Sequence, residues 1–160
     1  MKIKLSYLFV IIITTIISLS CQKNVNKLNN KFSQNDTISS SHLGAWEMVY
    51  FQSIKGNDTT EIIAKDEPLA ITLMTPSHFS YKWRNSSNSG AGTYTYDGKI
   101  IREEFIYYKD TNFVGAVLSF NMDVRNDSII FSGPLTAFSS KGKDLLNQIP
   151  QMLEIRRKAK

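Results

Sequence analysis

The chain has 160 residues, 42% of them hydrophobic and 21% charged, which accommodates one domain with a packed core and a leader. The formal net charge is +5; Lys2 and Lys4 carry two of those charges at the start, and the +3 left over is too little to argue for a nucleic-acid partner. A single cysteine, Cys21, excludes an intrachain disulfide and any cysteine-based metal cluster. Seven Tyr, nine Phe and two Trp in so short a chain lean towards β structure.

The first four residues are short and basic, and residues 5–19 are almost wholly apolar. A charged start followed by such a run is a secretory signal, and it falls short of the roughly 20 apolar residues of a membrane-spanning helix. The run closes on Ile17-Ser18-Leu19-Ser20-Cys21. Small residues before a cysteine at the end of an apolar run resemble the lipobox of bacterial lipoproteins, in the relaxed form seen in Bacteroidetes. The resemblance implies a signal peptide over 1–20 and a lipidated Cys21, with palmitate-type chains on the thiol and on the new amino terminus. Two or three acyl chains anchor stably where one binds marginally. The expected location is the bacterial cell envelope, on the outer membrane at its periplasmic or surface face. Residues 21–41 are rich in Asn, Lys and Ser without sustained periodicity, and read as a flexible tether. Asp36-Thr37-Ile38 and Asp127-Ser128-Ile129 resemble the short O-glycan acceptor of Bacteroidetes secreted proteins.

The texture changes at residue 42, where a domain reaching to residue 160 is expected. Residues 43–53 read as the first strand, with Trp46, Met48 and Tyr50 on one face by period two. Gly44 before Trp46 lets the chain bend tightly ahead of a ring that either stoppers a barrel end or packs as an ordinary core Trp. Gly56-Asn57-Asp58 marks a turn, residues 61–64 a brief run, and residues 69–74 the next strand. In residues 78–84, Phe79, Tyr81 and Trp83 share a face. After a polar loop at 85–90, residues 92–96 form a short strand, and Asp97-Gly98 is the strongest hairpin signal, because both positions tolerate positive φ. Residues 99–108 return. In residues 114–124, Ala116, Leu118, Phe120 and Met122 share one face and alternate with Gly115, Val117, Ser119, Asn121 and Asp123 on the other. Residues 128–132 return, 139–148 have room for one short helix, and 152–157 close the chain. About eight short strands at regular spacing indicate an all-β fold, a sandwich or an up-and-down antiparallel barrel.

Several stretches fall in order: residues 43–49 around Gly44 and Trp46, Thr75-Pro76-Ser77-His78-Phe79, residues 90–98, Val114-Gly115 and residues 126–133. Together they resemble the lipocalin-like domains of Bacteroidetes lipoproteins, within the calycin group. The resemblance implies a small up-and-down barrel of about eight strands, at most one short helix near the C-terminus, and a pocket open at one end. It also implies a barrel plug in which Gly44 and Trp46 meet an arginine of the last strand, Arg156 or Arg157, with Arg157 preferred.

The candidate chemistry is sparse. His42 and His78 belong to no metal-ligand spacing, and Gly-x-Ser-x-Gly is absent. Gly90-Ala91-Gly92 precedes a strand rather than a helix, so it does not cradle phosphate. Glu103 and Glu104 are adjacent and point to opposite faces of a strand, which rules out a paired acid–base site and leaves Glu103 either inward or on the surface. The basic tail from Arg156 to Lys160 reads as a solvated terminus. Aromatics with a few polar tips either line a pocket or fill a core. The residues expected to line a pocket are Tyr50, His78, Tyr81, Trp83, Tyr94, Glu103, Tyr107 and Phe120. The expected function is a membrane-anchored lipocalin-like lipoprotein binding a small, partly apolar ligand, with no enzymatic activity, cofactor or metal. Its partners are a membrane, reached through the N-terminal lipid, and that ligand, with no nucleic acid. The alternative is a non-catalytic protein-interaction or inhibitor module of the envelope, using loops such as 85–89 and 139–143.

Overall fold

The computed structural model describes residues 40–160; the expected signal peptide, Cys21, nearly all of the expected tether and Asp36-Thr37-Ile38 lie outside the described residues. Among the described residues nine strands form one antiparallel sheet: β1 (Gly44–Lys55), β2 (Asp58–Ile63), β3 (Ala70–Met74), β4 (His78–Trp83), β5 (Ser89–Tyr96), β6 (Ile100–Tyr108), β7 (Val117–Arg125), β8 (Ser128–Phe138) and β9 (Gln151–Lys158). From β3 to β9 each strand pairs with the next, β3 pairs with β1, and β9 returns to pair with β1. Eight strands therefore close into an up-and-down barrel, and closure pairs both edges of these eight. Among the described residues the only helices are 3-10 turns, including Leu146–Gln148 in the segment with room for a short helix.

The ninth strand is an addition. β1 is long enough to pair with β3 through Gly44 to Met48 and with β2 through Tyr50 to Lys55. Gly56, at φ +61°, turns the chain into that hairpin. Every β2 residue is exposed, so the short run after the first turn forms an arm beyond the barrel wall.

The register shifts at three places, the third between β7 and β8 at Ser119 and Asn121, where two extra residues of β8 leave the alternation unchanged; the other two set which side chains point inward. Between β1 and β9 the register shifts across Met48 and Tyr50, so Val49 is an extra residue. Between β5 and β6 it shifts across Ala91 and Gly92, with Ile106 extra. An extra residue exchanges the inward and outward sets beyond it. Gly92 fits here for a steric reason: a Cβ would lie 1.9 Å from the carbonyl oxygen of Glu104.

In an up-and-down barrel alternate connections share an end. Turns 75–77, 97–99 and 126–127 gather at one end, together with the beginning of β1 and the end of β9. That end is solid. Trp46, Ile101, Met122 and Ile129 are all fully buried there. The indole Nε1 of Trp46 donates to the carbonyl of His42 at 2.8 Å, which draws the 3-10 turn Ser40–His42 over the barrel end. Tyr94 donates its hydroxyl proton to the carbonyl of Thr75 at 2.5 Å, leaving Nε2 of His42 to donate to Tyr94 Oη at 3.0 Å. Asp97 accepts from the amides of Lys99 and Ile100 at 2.9 and 2.7 Å, and of the Asp-Gly pair Gly98 alone takes positive φ, at +97°, because Gly98 and Lys99 are the central residues of the turn.

The cation over Trp46 is Lys158, not an arginine. Its Nζ lies 5.1 Å from the indole centroid, and Lys158 is the register partner of Trp46. Arg157, one residue earlier, points outward and pairs with Glu47 at 2.8 Å. Arg156 points inward, 4.1 Å from the ring centroid of Phe131. Alternation along β9 separates the three.

Replacing Trp46 by alanine removes the largest side chain of the closed end together with its hydrogen bond to His42. The expected loss is about 3–5 kcal/mol, read by chemical denaturation. A loss below about 1 kcal/mol would show that the indole is not the stopper of this end.

Candidate functional site

The connections 84–88, 109–116 and 139–150 gather at the other end, which stays open. From it a cavity of about 290 Å3 runs into the barrel. Its walls are aromatic: Phe79, Phe105, Phe120 and Phe131 from four strands, with Tyr81 and Tyr108 among them. Phe105 contacts Phe79 and Tyr108 edge to face, at 5.3 and 5.0 Å. Phe51 and Trp83 pack edge to face at 4.9 Å, and Asn88, Phe113, Gln148, Ile149 and Pro150 bring the loops into the lining. Gly90 makes room for two of these rings, since a Cβ there would come within 2.8 Å of Tyr81 and 3.0 Å of Phe105.

Of the residues expected to line a pocket, Tyr81, Trp83, Glu103 and Phe120 do so. The other four lie elsewhere. Tyr50 and Tyr107 lie just past the extra residues Val49 and Ile106, which turn them outward and bring Phe51 and Tyr108 inward instead. Tyr107 is 57% exposed. Tyr94 is inward but belongs to the closed end, where His42 and Thr75 hold its hydroxyl. His78 is exposed beside Ser77, whose hydroxyl is 2.8 Å from Nδ1.

Three charged side chains stand inside this largely apolar space. Arg156 donates from Nε to Oε2 of Glu154 at 3.0 Å, and its Nη2 donates to the same oxygen. Glu154 and Arg156 are two residues apart on β9 and so share its inner face. The sequence carried that signal as a Met152-Glu154-Arg156 alternation, but a basic C-terminus reads first as solvated. The third charge is Glu103, on the inner face of β6 between Ile101 and Phe105. Its carboxyl is pushed up to about 7 by burial, against the lowering effect of Arg156 and with the help of Glu154. Burial likewise raises the pKa of the Tyr81 hydroxyl, with Tyr108 adding to it and then Glu103 and Glu154. Thr72 also lines the cavity, its Oγ1 shielded and without a hydrogen-bond partner among the described residues. Among the described residues no group of three or more His, Cys, Asp or Glu converges as a metal site would require.

The raised pKa of Glu103 has a consequence for stability. The fold favours its protonated form, so its contribution is fully present below about pH 4.5 and is lost as pH rises through about 7. The size is on the order of 3 kcal/mol. Denaturant titrations of the protein and of Glu103→Gln at pH 4.5 and pH 8 are expected to diverge, the variant losing less stability over that interval. Equal pH dependence would place Glu103 in water.

No family model matches the chain, and no curated protein matches it. Among solved structures the chain is similar to a lipocalin-like protein from Bacteroides uniformis, at 15% identity and a TM-score of 0.49 over 75% of this chain and 100% of that one. The closed barrel of the present chain is defined by its own strand pairing.

Proposed function

We propose that this chain is a non-catalytic, lipocalin-like binding protein that takes a small, partly apolar ligand into the open end of its barrel. One observation carries the reading: an aromatic-walled cavity of about 290 Å3 reaches from the open loops to the buried carboxylates, whereas the opposite end is packed solid. A concave, mostly apolar site with a few convergent polar groups is the usual form of a small-molecule site. Neither histidine lines it: His42 belongs to the closed end and His78 to the outer surface. The leader and Cys21 support the rest of the proposal, a Bacteroidetes-type lipoprotein held at the cell envelope by its acylated amino terminus.

The test uses the neutral fluorophore N-phenyl-1-naphthylamine. Titration into the protein is expected to give saturable binding with enhanced dye emission. Leu118→Trp replaces an aliphatic side chain of the inner wall by a bulkier indole and is expected to weaken binding at least about tenfold, with the circular dichroism of the barrel retained. No saturable binding to the parent protein, or equal binding by the folded variant, would contradict the proposal. Native mass spectrometry of the purified protein would then show the mass of any ligand it retains.

A further inference from the structure

The cavity contains two carboxylates and one guanidinium, and the guanidinium is already committed. Arg156 gives both Nε and Nη2 to one oxygen of Glu154 and lies against the ring of Phe131. Glu103 is only 8% exposed, yet no hydrogen bond or ion pair reaches its carboxylate from the described residues. A buried acid is normally hydrogen-bonded or paired, because an isolated charge in an apolar space is costly. Thr72 is 3% exposed and lines the same cavity, with Oγ1 also unpartnered. Both groups are placed by ordinary alternation on straight parts of their strands, and neither has a hydrogen-bond partner among the described residues. An unpaired carboxyl in a cavity is the counterpart of a polar atom on a ligand.

Resting on the ligand-binding reading of the cavity, we infer that it selects a protonated amine on an apolar body, the ammonium standing beside Glu103 as the cation the barrel itself lacks. The alternatives are worse matched. A carboxylate ligand would enter a space where acids already outnumber bases, and the one arginine is held by Glu154. A neutral alcohol would fill the apolar volume but leave Glu103 without a counter-charge. The aromatic faces of Tyr81, Phe105 and Tyr108 also favour a cation. The charged and titratable groups around Glu103 are Arg156 and Glu154 from β9 and Tyr81 from β4, with Tyr108 beside Tyr81 on β6. Its register partners on β5 and β7 are Tyr94, whose hydroxyl is used at the closed end, and Leu118. None of these supplies a free positive charge. Because burial holds the Glu103 carboxyl near 7, an arriving ammonium draws it to the carboxylate, and the proton leaves to solvent.

Three probes of one shape separate the head group from the apolar body: 4-phenylbutylamine, 4-phenylbutanol and 4-phenylbutyrate. Calorimetric titration of the intact protein at pH 8 is expected to rank the amine about tenfold or more tighter than the alcohol, with the acid weakest. In Glu103→Gln the difference between amine and alcohol is expected to vanish. The same difference shrinks for the unaltered protein at pH 5.5, where the amine keeps its charge and Glu103 does not, so the pH pair decides even if the variant fails to fold. Equal binding of amine and alcohol at pH 8, or tightest binding of the acid, overturns the amine selection while leaving the cavity a binding site. Binding of none of the three overturns the ligand-binding reading and the selection with it.

Discussion

The structure depends on one strand serving three neighbours. β1 pairs with β9 along one side, and along the other it divides between β3 and β2. Without the β1–β9 pairing the remaining strands would be a curled open sheet with two free edges. With it, the twist of the strands is absorbed as tilt around an axis, and inner and outer faces become distinct along every strand. Trp46 sits where this closure is made, opposite Thr72 of β3 on one side and Lys158 of β9 on the other. Its indole fills the narrow end, and its N–H fixes the turn at His42 over that end.

Solidity at one end is what lets the other be hollow. The closed end takes its stability from fully buried Trp46, Ile101, Met122 and Ile129, and from the hydroxyls of Tyr94 and Tyr96, the latter donating to the carbonyl of Met122 at 3.2 Å. The open end is walled by rings that meet edge to face around an unfilled volume, and two glycines of β5 make that arrangement possible. Gly90 yields space to Tyr81 and Phe105, and Gly92 lets β6 take an extra residue. The same bulge carries Tyr108 to the inside and leaves Tyr107 in water. The polar interior is thus built from a few positions on β3, β6 and β9, whereas the surrounding wall carries the fold.

Much of this was legible in the sequence, because alternation is a local property. The strands, the Asp-Gly hairpin and the inward Trp46, Tyr81, Trp83 and Phe120 all follow from period two and turn chemistry, whereas the stopper role of Trp46 was one of two readings. What was not legible came from single-residue insertions into that period. Nothing in Met48-Val49-Tyr50 or Phe105-Ile106-Tyr107 announces a bulge; it arises because β1 and β6 must stay in register with partners distant in sequence. Each bulge exchanged one aromatic for its neighbour, Tyr50 for Phe51 and Tyr107 for Tyr108. The interior position of Arg156 was hidden for another reason. In a run of basic residues at a chain end, only the pairing with β1 shows which side chain faces Phe131, which faces Glu47 and which covers Trp46.

The claim on which all else rests is that β9 returns to β1 and closes the wall. Interstrand nuclear Overhauser contacts between backbone protons test it most directly. The account predicts contacts between Gln52 and Leu153 and between Trp46 and Lys158, with the β1 amides slow to exchange with solvent. Absence of those contacts, with the β9-facing amides of β1 exchanging freely, would contradict it.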